Sequence, residues 1–349
     1  MTREHIHNIS IIKDAEVVAI SDIHKQSIIK CKKILKKNVL FFKNHKQLIK
    51  KNIADVYLIS TPNFTHLKIL KDVLKSKKHI LVEKPLCVNT KDCIEFKKLA
   101  KNYPSIIWIA MEYRYMPPVA KFIKEIHNKS IGNIKALSIR EHRFPFLVKV
   151  KNWNRFSKNT GGTLVEKCCH FFDLMRLIIK SEPISVYASG NQDVNHINER
   201  YYNNKKPDII DNAYVVVNFK NGVRGLLDLC MFAENSEMQE ELLAVGNKGK
   251  IETSVPSQQS GKSSSEIRIG LRKNLKTKKQ IIKVDKKILN AGYHYGSTYY
   301  QHLSFIKAIK KKLKAEVSLQ DGLVSVAIGE AAEKSIKEKR LVYMKEIVN

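Results

Sequence analysis

Short apolar runs alternate with helical repeats through the first third of the chain. EVVAIS (Glu16 to Ser21), DVYLIS (Asp55 to Ser60), HILVE (His79 to Glu83) and IIWIAM (Ile106 to Met111) are bounded by polar or turn residues. That is the pattern of strands buried on both faces. Between them, HKQSIIKCKKILKK, THLKILKDVLKSKK and TKDCIEFKKLAKN repeat apolar residues at helical spacing with charges on the other face. The series reads as β-α-β units, hence a parallel sheet whose ligands gather at the carboxyl ends of the strands. Asp22, Thr61, Lys84 and Glu112 fall at those ends.

After Arg114 the pattern changes. MPPVAKFIKEIHN opens with prolines suited to a first helical turn and links the halves. IKALSIREHRF, ISVYASG, NAYVVVNF, VRGLLDLCMF, ELLAVG and EIRIG are partly alternating strands, with Asn221-Gly222 placed as a hairpin turn. Helices are predicted over 163–180, 297–312 and 319–337, and the polar stretch 253–265 reads as a mobile loop. The fold class is α/β: a Rossmann-type parallel sheet over residues 1–115, then an α+β domain over 116–349 with a large, mostly antiparallel open sheet. The C-terminal helices are placed to pack back on the first domain.

Composition narrows the function. No apolar run approaches the ~20 residues of a membrane span, and MTREHIHNIS lacks the features of a secretory signal, which points to the cytoplasm. The six cysteines have no CxxC spacing, so free thiols are expected rather than a disulfide scaffold or zinc ribbon. The net charge of +30 raises nucleic acid as a partner. Lysine pairs such as Lys36-Lys37 and Lys77-Lys78 nevertheless recur along the whole chain without interleaved aromatics. Attraction of small anions fits that distribution better than specific nucleic-acid binding.

Two constellations carry chemistry. Glu83-Lys84-Pro85 ends an apolar run, and a lysine held there loses freedom and hydration, which suits an acid/base titrating near neutral pH; a plain strand-end Glu83-Lys84 pair is the alternative. In GGTLVEKCCHFFDLMRLI, a helix from about Thr163 would set Glu166, His170 and Asp173 on one stripe, either as a site or as a core histidine with flanking acids. Glu166 and His170 could share a metal ion, but no further ligand cluster accompanies them, so no metal is assigned. SGKSSS lacks the earlier glycine of a phosphate loop and the strand before it. AGYHYGSTYYQH, with His294 and Tyr295, either lines a polyol site or packs half-buried.

ISTPNFTH, VEKPL, YRYMPP, GGTLVEKCCHFFD, VGNKGKIE and VSLQDGLVSVAIGEAAEKS, in that order, resemble the glucose-fructose oxidoreductase, inositol dehydrogenase and rhizopine catabolism family, Gfo/Idh/MocA. The resemblance spans nearly the whole chain. It implies an NAD(P)-dependent enzyme that oxidises or reduces a sugar, cyclitol or related polyol, assembled as a homodimer or homotetramer through the open sheet. It makes Lys84 the catalytic lysine, His170 the residue that orients the reacting hydroxyl, and Glu166 its acidic neighbour where many relatives carry Asp. Asp22 would bind the adenosine ribose, and Ser60, Thr61, Pro62, Asn63, His66, Glu83 and Arg114 would lie along the cofactor, with Asp173, His294 and Tyr295 toward the substrate. Asp22 favours NAD, while His24 and Lys25 leave NADP open. A non-catalytic, sugar-binding or partner subunit is the rival reading.

One departure from the family is large. MTREHIHNI begins inside the glycine-rich turn, without the first strand and the leading glycines. A gap in the sheet and loss of the phosphate cradle are therefore expected, with Met1 an internal methionine or the chain a fragment.

Overall fold

The computed structural model describes residues 1–35, 38–273 and 277–348. Lys36 and Lys37, the end of the first predicted helix and one of the lysine pairs, lie outside the described residues. The chain runs α1 (Thr2–Ser10), β1 (Ala19–Ser21), α2 (Lys25–Lys32), β2 (Leu40–Phe42), α3 (His45–Lys51), β3 (Val56–Ile59), α4 (His66–Leu74), β4 (His79–Glu83), α5 (Thr90–Leu99), β5 (Ile107–Ala110), α6 (Pro117–His127) and β6 (Ile134–His142). It continues through α7 (Ser157–Thr160), α8 (Thr163–Glu166), α9 (Cys169–Ile179), β7 (Pro183–Asn191), β8 (Asn212–Phe219), β9 (Arg224–Cys230), β10 (Met238–Gly246), β11 (Gly249–Pro256), β12 (Ser264–Leu271) and β13 (Thr277–Lys283). It closes with α10 (Lys286–Asn290), α11 (Ser297–Lys310), α12 (Leu319–Glu338), β14 (Val342–Tyr343) and α13 (Lys345–Val348).

The first five strands are parallel but form two sheets, β1-β2 and β3-β4-β5. The expected gap is therefore present, between β1 and β3. Thr2, at the start of α1, hydrogen-bonds Ser60 at the end of β3. The second sheet has nine strands in the order β13-β12-β11-β10-β6-β9-β8-β7-β14, antiparallel except for β6 beside β9. Asn221-Gly222 does turn β8 into β9, with Gly222 at φ +80°, where a side chain would be strained.

Three expectations need correction. Residues 253–256 and 264–265 of the predicted loop belong to β11 and β12, because Thr253 and Val255 continue the inward alternation of Ile251 against the core. Strand β2, at three residues, is too short to have been read from periodicity, and helix α3 and strand β13 carry too few apolar residues. The predicted helix 163–180 is two helices. The ladder is interrupted at Lys167 and Cys168, where the Cys168 amide reaches back to the Thr163 carbonyl at 3.4 Å.

Helix α12 holds the halves together. Its first turn is a capping box between Ser318 and Asp321. Further along, Glu330 accepts from the Thr90 amide that opens α5 (2.7 Å), and Glu333 accepts from Leu164 in α8 (2.9 Å). At Gly329 the helix touches backbone, since a Cβ there would lie 2.6 Å from the Leu164 carbonyl oxygen. The turn after β5 is clamped as well. Arg114 makes a bidentate pair with Asp173 of α9, and Asp321 lies 3.5 Å from the same guanidinium and 2.6 Å from that of Arg176.

Two stability tests follow. Arg114→Met leaves Asp173 as an unpaired buried carboxylate and should cost about 3–5 kcal/mol, read as a fall in denaturation midpoint; a loss near zero would show that the pair is not a clamp. Gly329→Ala should destabilise by about 1–3 kcal/mol, although alanine favours an isolated helix by about 1 kcal/mol. A stabilised variant would mean that the α12–α8 contact yields freely.

Candidate active site

The ends of β3, β4 and β5 and the broken helix α8–α9 converge on one buried region. Strand β4 delivers Glu83 and Lys84 to its rim through its fully buried Ile80, Leu81 and Val82. Lys84 Nζ donates to the Glu166 carbonyl oxygen at 2.8 Å. Burial disfavours the ammonium, yet the acidic groups of Cys169, Glu166, Glu112 and Glu83 outweigh it, so the amine is held above its ordinary value. The expectation of a lysine tuned toward neutrality is not met, because sequence spacing does not reveal how many acids face it.

Glu83 is anchored from behind. His5 Nε2 sits 2.7 Å from its Oε1, and His5 Nδ1 lies 2.9 Å from His302 Nε2, all three side chains being buried. Burial opposes the Glu83 carboxylate, but the bond and charge of His5 prevail and lower its pKa. His302 is pushed down to about 3 by burial and by His5 beside it. With His302 neutral, a proton on His5 Nε2 points to Glu83 and the His302 N–H can point to His5. Glu4, one residue before His5, accepts from the Thr298 hydroxyl at 2.8 Å, and His294 lies 3.5 Å from it.

The loop after β3 meets the same rim. The Thr65 hydroxyl donates to that of Thr61 (2.8 Å), and the His66 ring lies between the carbonyls of Pro85 (2.9 Å) and Thr61 (3.0 Å). Burial keeps this ring neutral, so it can donate to only one carbonyl at a time. Asn63 is buried with its side-chain nitrogen unbonded. Farther out, Asp22 at the end of β1 accepts from the His24 amide at 2.7 Å, leaving its second oxygen open.

His170 opens α9 in a buried setting. Neither ring nitrogen has a hydrogen bond among the described residues, and the nearest charge is Glu112 Oε1, 3.5 Å from Nε2. Burial, with Lys84, Lys167, His294 and Arg143 around it, keeps the imidazole neutral. Glu112 is 1% exposed with both oxygens unbonded. Burial first, and then Glu83, push its carboxyl well above the ordinary range.

Lys84, Glu83, Glu166 and His170 thus come together, with Ser60, Thr61, Pro62, Asn63 and His66 on the adjoining loop. Arg114 and Asp173 face each other in the clamp, so both oxygens of Asp173 are occupied. His294 lies 3.9 Å from Glu112, whereas the Tyr295 hydroxyl is buried without a partner and pushed up to about 12 by burial. Glu112, Tyr113, Lys167, His5 and His302 were not singled out as site residues. Glu112 gave a signal in its place at a strand end, and His302 in the AGYHYGSTYYQH stretch. The cysteines are unpaired, and no group of three metal-ligating side chains occurs among the described residues. No described helix is long and apolar enough to cross a membrane.

Residues 1–111 match the family model described as "Oxidoreductase family, NAD-binding Rossmann fold", and residues 123–345 match "Oxidoreductase family, C-terminal alpha/beta domain". The chain is 26% identical over 355 residues to the myo-inositol 2-dehydrogenase of Thermotoga maritima, covering 99% of this chain and 96% of that one. Levoglucosan dehydrogenase, solved with NADH and levoglucosan, superposes with a TM-score of 0.82 at 18% identity, over 98% of this chain and 96% of the other. The aldose-aldose oxidoreductase of Caulobacter crescentus, solved with glycerol, gives 0.76 at 18% over 98% and 96%. Two family models that together span most of the sequence, on a fold shared with these dehydrogenases, place this chain in the Gfo/Idh/MocA oxidoreductase family with its NAD-binding Rossmann domain.

Proposed function

We propose that the chain transfers hydride between a nicotinamide dinucleotide and a CH–OH carbon of a sugar, cyclitol or related polyol. The observation that carries this reading is the juxtaposition of a charged lysine, Lys84, with a neutral histidine, His170, whose ring nitrogens are both free. The names of the myo-inositol, levoglucosan and aldose relatives support the substrate class.

The residues fit the cofactor at its two ends. Asp22, with one oxygen open, suits ribose hydroxyls and favours NAD over NADP, although His24 and Lys25 would tolerate a phosphate. The orphaned amide of Asn63 offers a donor beside Thr61. Bound there, the dinucleotide supplies the hydride acceptor or donor. Lys84 takes the hydroxyl proton in oxidation and returns it in reduction, and His170 holds the same oxygen. Glu166 anchors Lys84 through its carbonyl, while Glu83, fixed by His5, adds to the negative charge that holds the Lys84 amine above its ordinary value, so the free amine that accepts the proton forms as pH rises.

A second reading is a binding subunit without turnover. Titration with NADH, followed by nicotinamide fluorescence, separates the two, since absence of binding would leave only the second.

Assembly follows from the large sheet. Tyr187, Tyr214, Val216, Leu226, Leu243 and Val245 share its open face, with Tyr214 62% exposed. A homodimer or homotetramer that covers this face is expected, and light scattering that finds only monomer at micromolar concentration would count against it.

Lys84→Ala should remove polyol turnover while NADH affinity stays within about threefold, a shift under 1 kcal/mol. Near-normal turnover would end the acid/base role. Because the Lys84 pKa is raised, oxidation, which needs the free amine, should accelerate as pH rises through the alkaline range, and reduction should persist to higher pH. An oxidation rate that is flat from pH 7 to 10 would contradict that assignment.

A further inference from the structure

His170 lacks the hydrogen bonds that normally set the plane of a buried imidazole, yet its ring lies nearly parallel to that of Tyr113, 4° from coplanar with centroids 4.1 Å apart. Tyr113 sits in the turn after β5 and is itself buried. Its hydroxyl accepts from Lys167 Nζ at 2.5 Å, and the same ammonium lies 2.7 Å from Glu141 Oε1 on β6. Lys167 is only 4% exposed and sits at the break between α8 and α9, three residues before His170. A buried ammonium is costly unless it is paired, and this one is paired on both sides.

We infer that Lys167 is a positioning residue for His170, acting through Tyr113. Glu141 holds Lys167, Lys167 pins the far end of the Tyr113 ring, and the face of that ring sets the plane of His170. Both imidazole nitrogens are thereby left free for the reacting oxygen. The break in the helix has a function in this arrangement. Lys167 is directed to the sheet of the second half, while the Glu166 carbonyl, one residue earlier, receives Lys84. The column thus ties the large sheet to the catalytic rim of the Rossmann half. The inference rests on the dehydrogenase reading for its consequence in catalysis, but not for its geometry.

The charged and titratable groups facing His170 are Lys84 from the end of β4, Glu112 from the turn after β5, Arg143 beyond β6, His294 ahead of α11 and Lys167 itself. Removing the Lys167 charge should therefore make His170 easier to protonate. The test uses the full chain with 13C-labelled histidine, the His170 ring signal being identified by its loss in His170→Gln. In NMR titrations without substrate, Lys167→Met should raise the His170 midpoint, and Tyr113→Phe should shift the ring signal. An unmoved His170 signal in both variants would overturn the inference, whether or not the protein turns over a polyol.

The kinetic arm uses the wild-type enzyme with NAD and the polyol it oxidises fastest. Each single variant should lower kcat on the order of 10–100-fold, as misplacing a reacting group by ~1 Å does, with NADH affinity unchanged. The double variant should be no slower than Lys167→Met alone. Penalties that multiply would show that the two side chains act separately. Should Lys167→Met fail to fold because Glu141 is stranded, Lys167→Gln keeps a donor and takes its place. A failed dehydrogenase reading would appear instead as no turnover in the wild type, with the NMR response intact.

Discussion

The Arg114–Asp173 pair is the interaction on which the site depends. Arg114 stands in the turn directly after β5, and Asp173 lies three residues beyond His170 on α9. Fixing these two charges against each other fixes Glu112 and Tyr113, the neighbours of Arg114, against His170. Asp321 and Arg176 extend the network to α12, so the halves meet through charge as well as apolar packing. A buried bidentate pair has one satisfied geometry, whereas an apolar contact tolerates several, and that difference suits a junction that must hold reacting groups in register.

Around that junction the protein concentrates acids. Glu83, Glu112, Glu141, Glu166 and Glu240 are all buried, and each is handled differently. Glu83 is kept ionised by His5. Glu112 is pushed well above the ordinary carboxyl range by burial and by Glu83. Glu240, which pairs across the strands with Glu141, is pushed up to about 7 by burial and by that neighbour. Burial, with Lys84, Lys167 and Arg143, keeps His170 neutral, and Lys84, Lys149 and Lys167 offset the charge of Glu166. Such a region is costly to fold and is tolerated where chemistry needs it.

Much of the architecture was legible before any coordinates. HILVE became β4 with the bounds read from it, because a run of apolar residues ending in charge has few alternatives beside amphipathic helices. The hairpin at Asn221-Gly222 and the helices α4, α5, α6 and α12 followed from turn chemistry and 3.6-residue spacing. The break at Lys167 was not legible, since LVEKCCHFF satisfies a helical pattern throughout. At that break the Lys167 side chain meets Tyr113 and Glu141, which are far away in sequence. Likewise β13, TKKQIIK, is mostly exposed and gave little periodicity to read.

The sequence alone determined that there is a parallel β-α-β half and a mostly antiparallel half, and that Lys84 ends a buried strand. These are properties of local pattern and order, which neighbouring residues decide. Tertiary structure decided which acid stays charged, which histidine stays neutral, and that Asp173 meets Arg114 within the protein. A titrating side chain answers to the sum of burial and charge around it, and that sum is assembled from five or six segments that no spacing along the chain brings together.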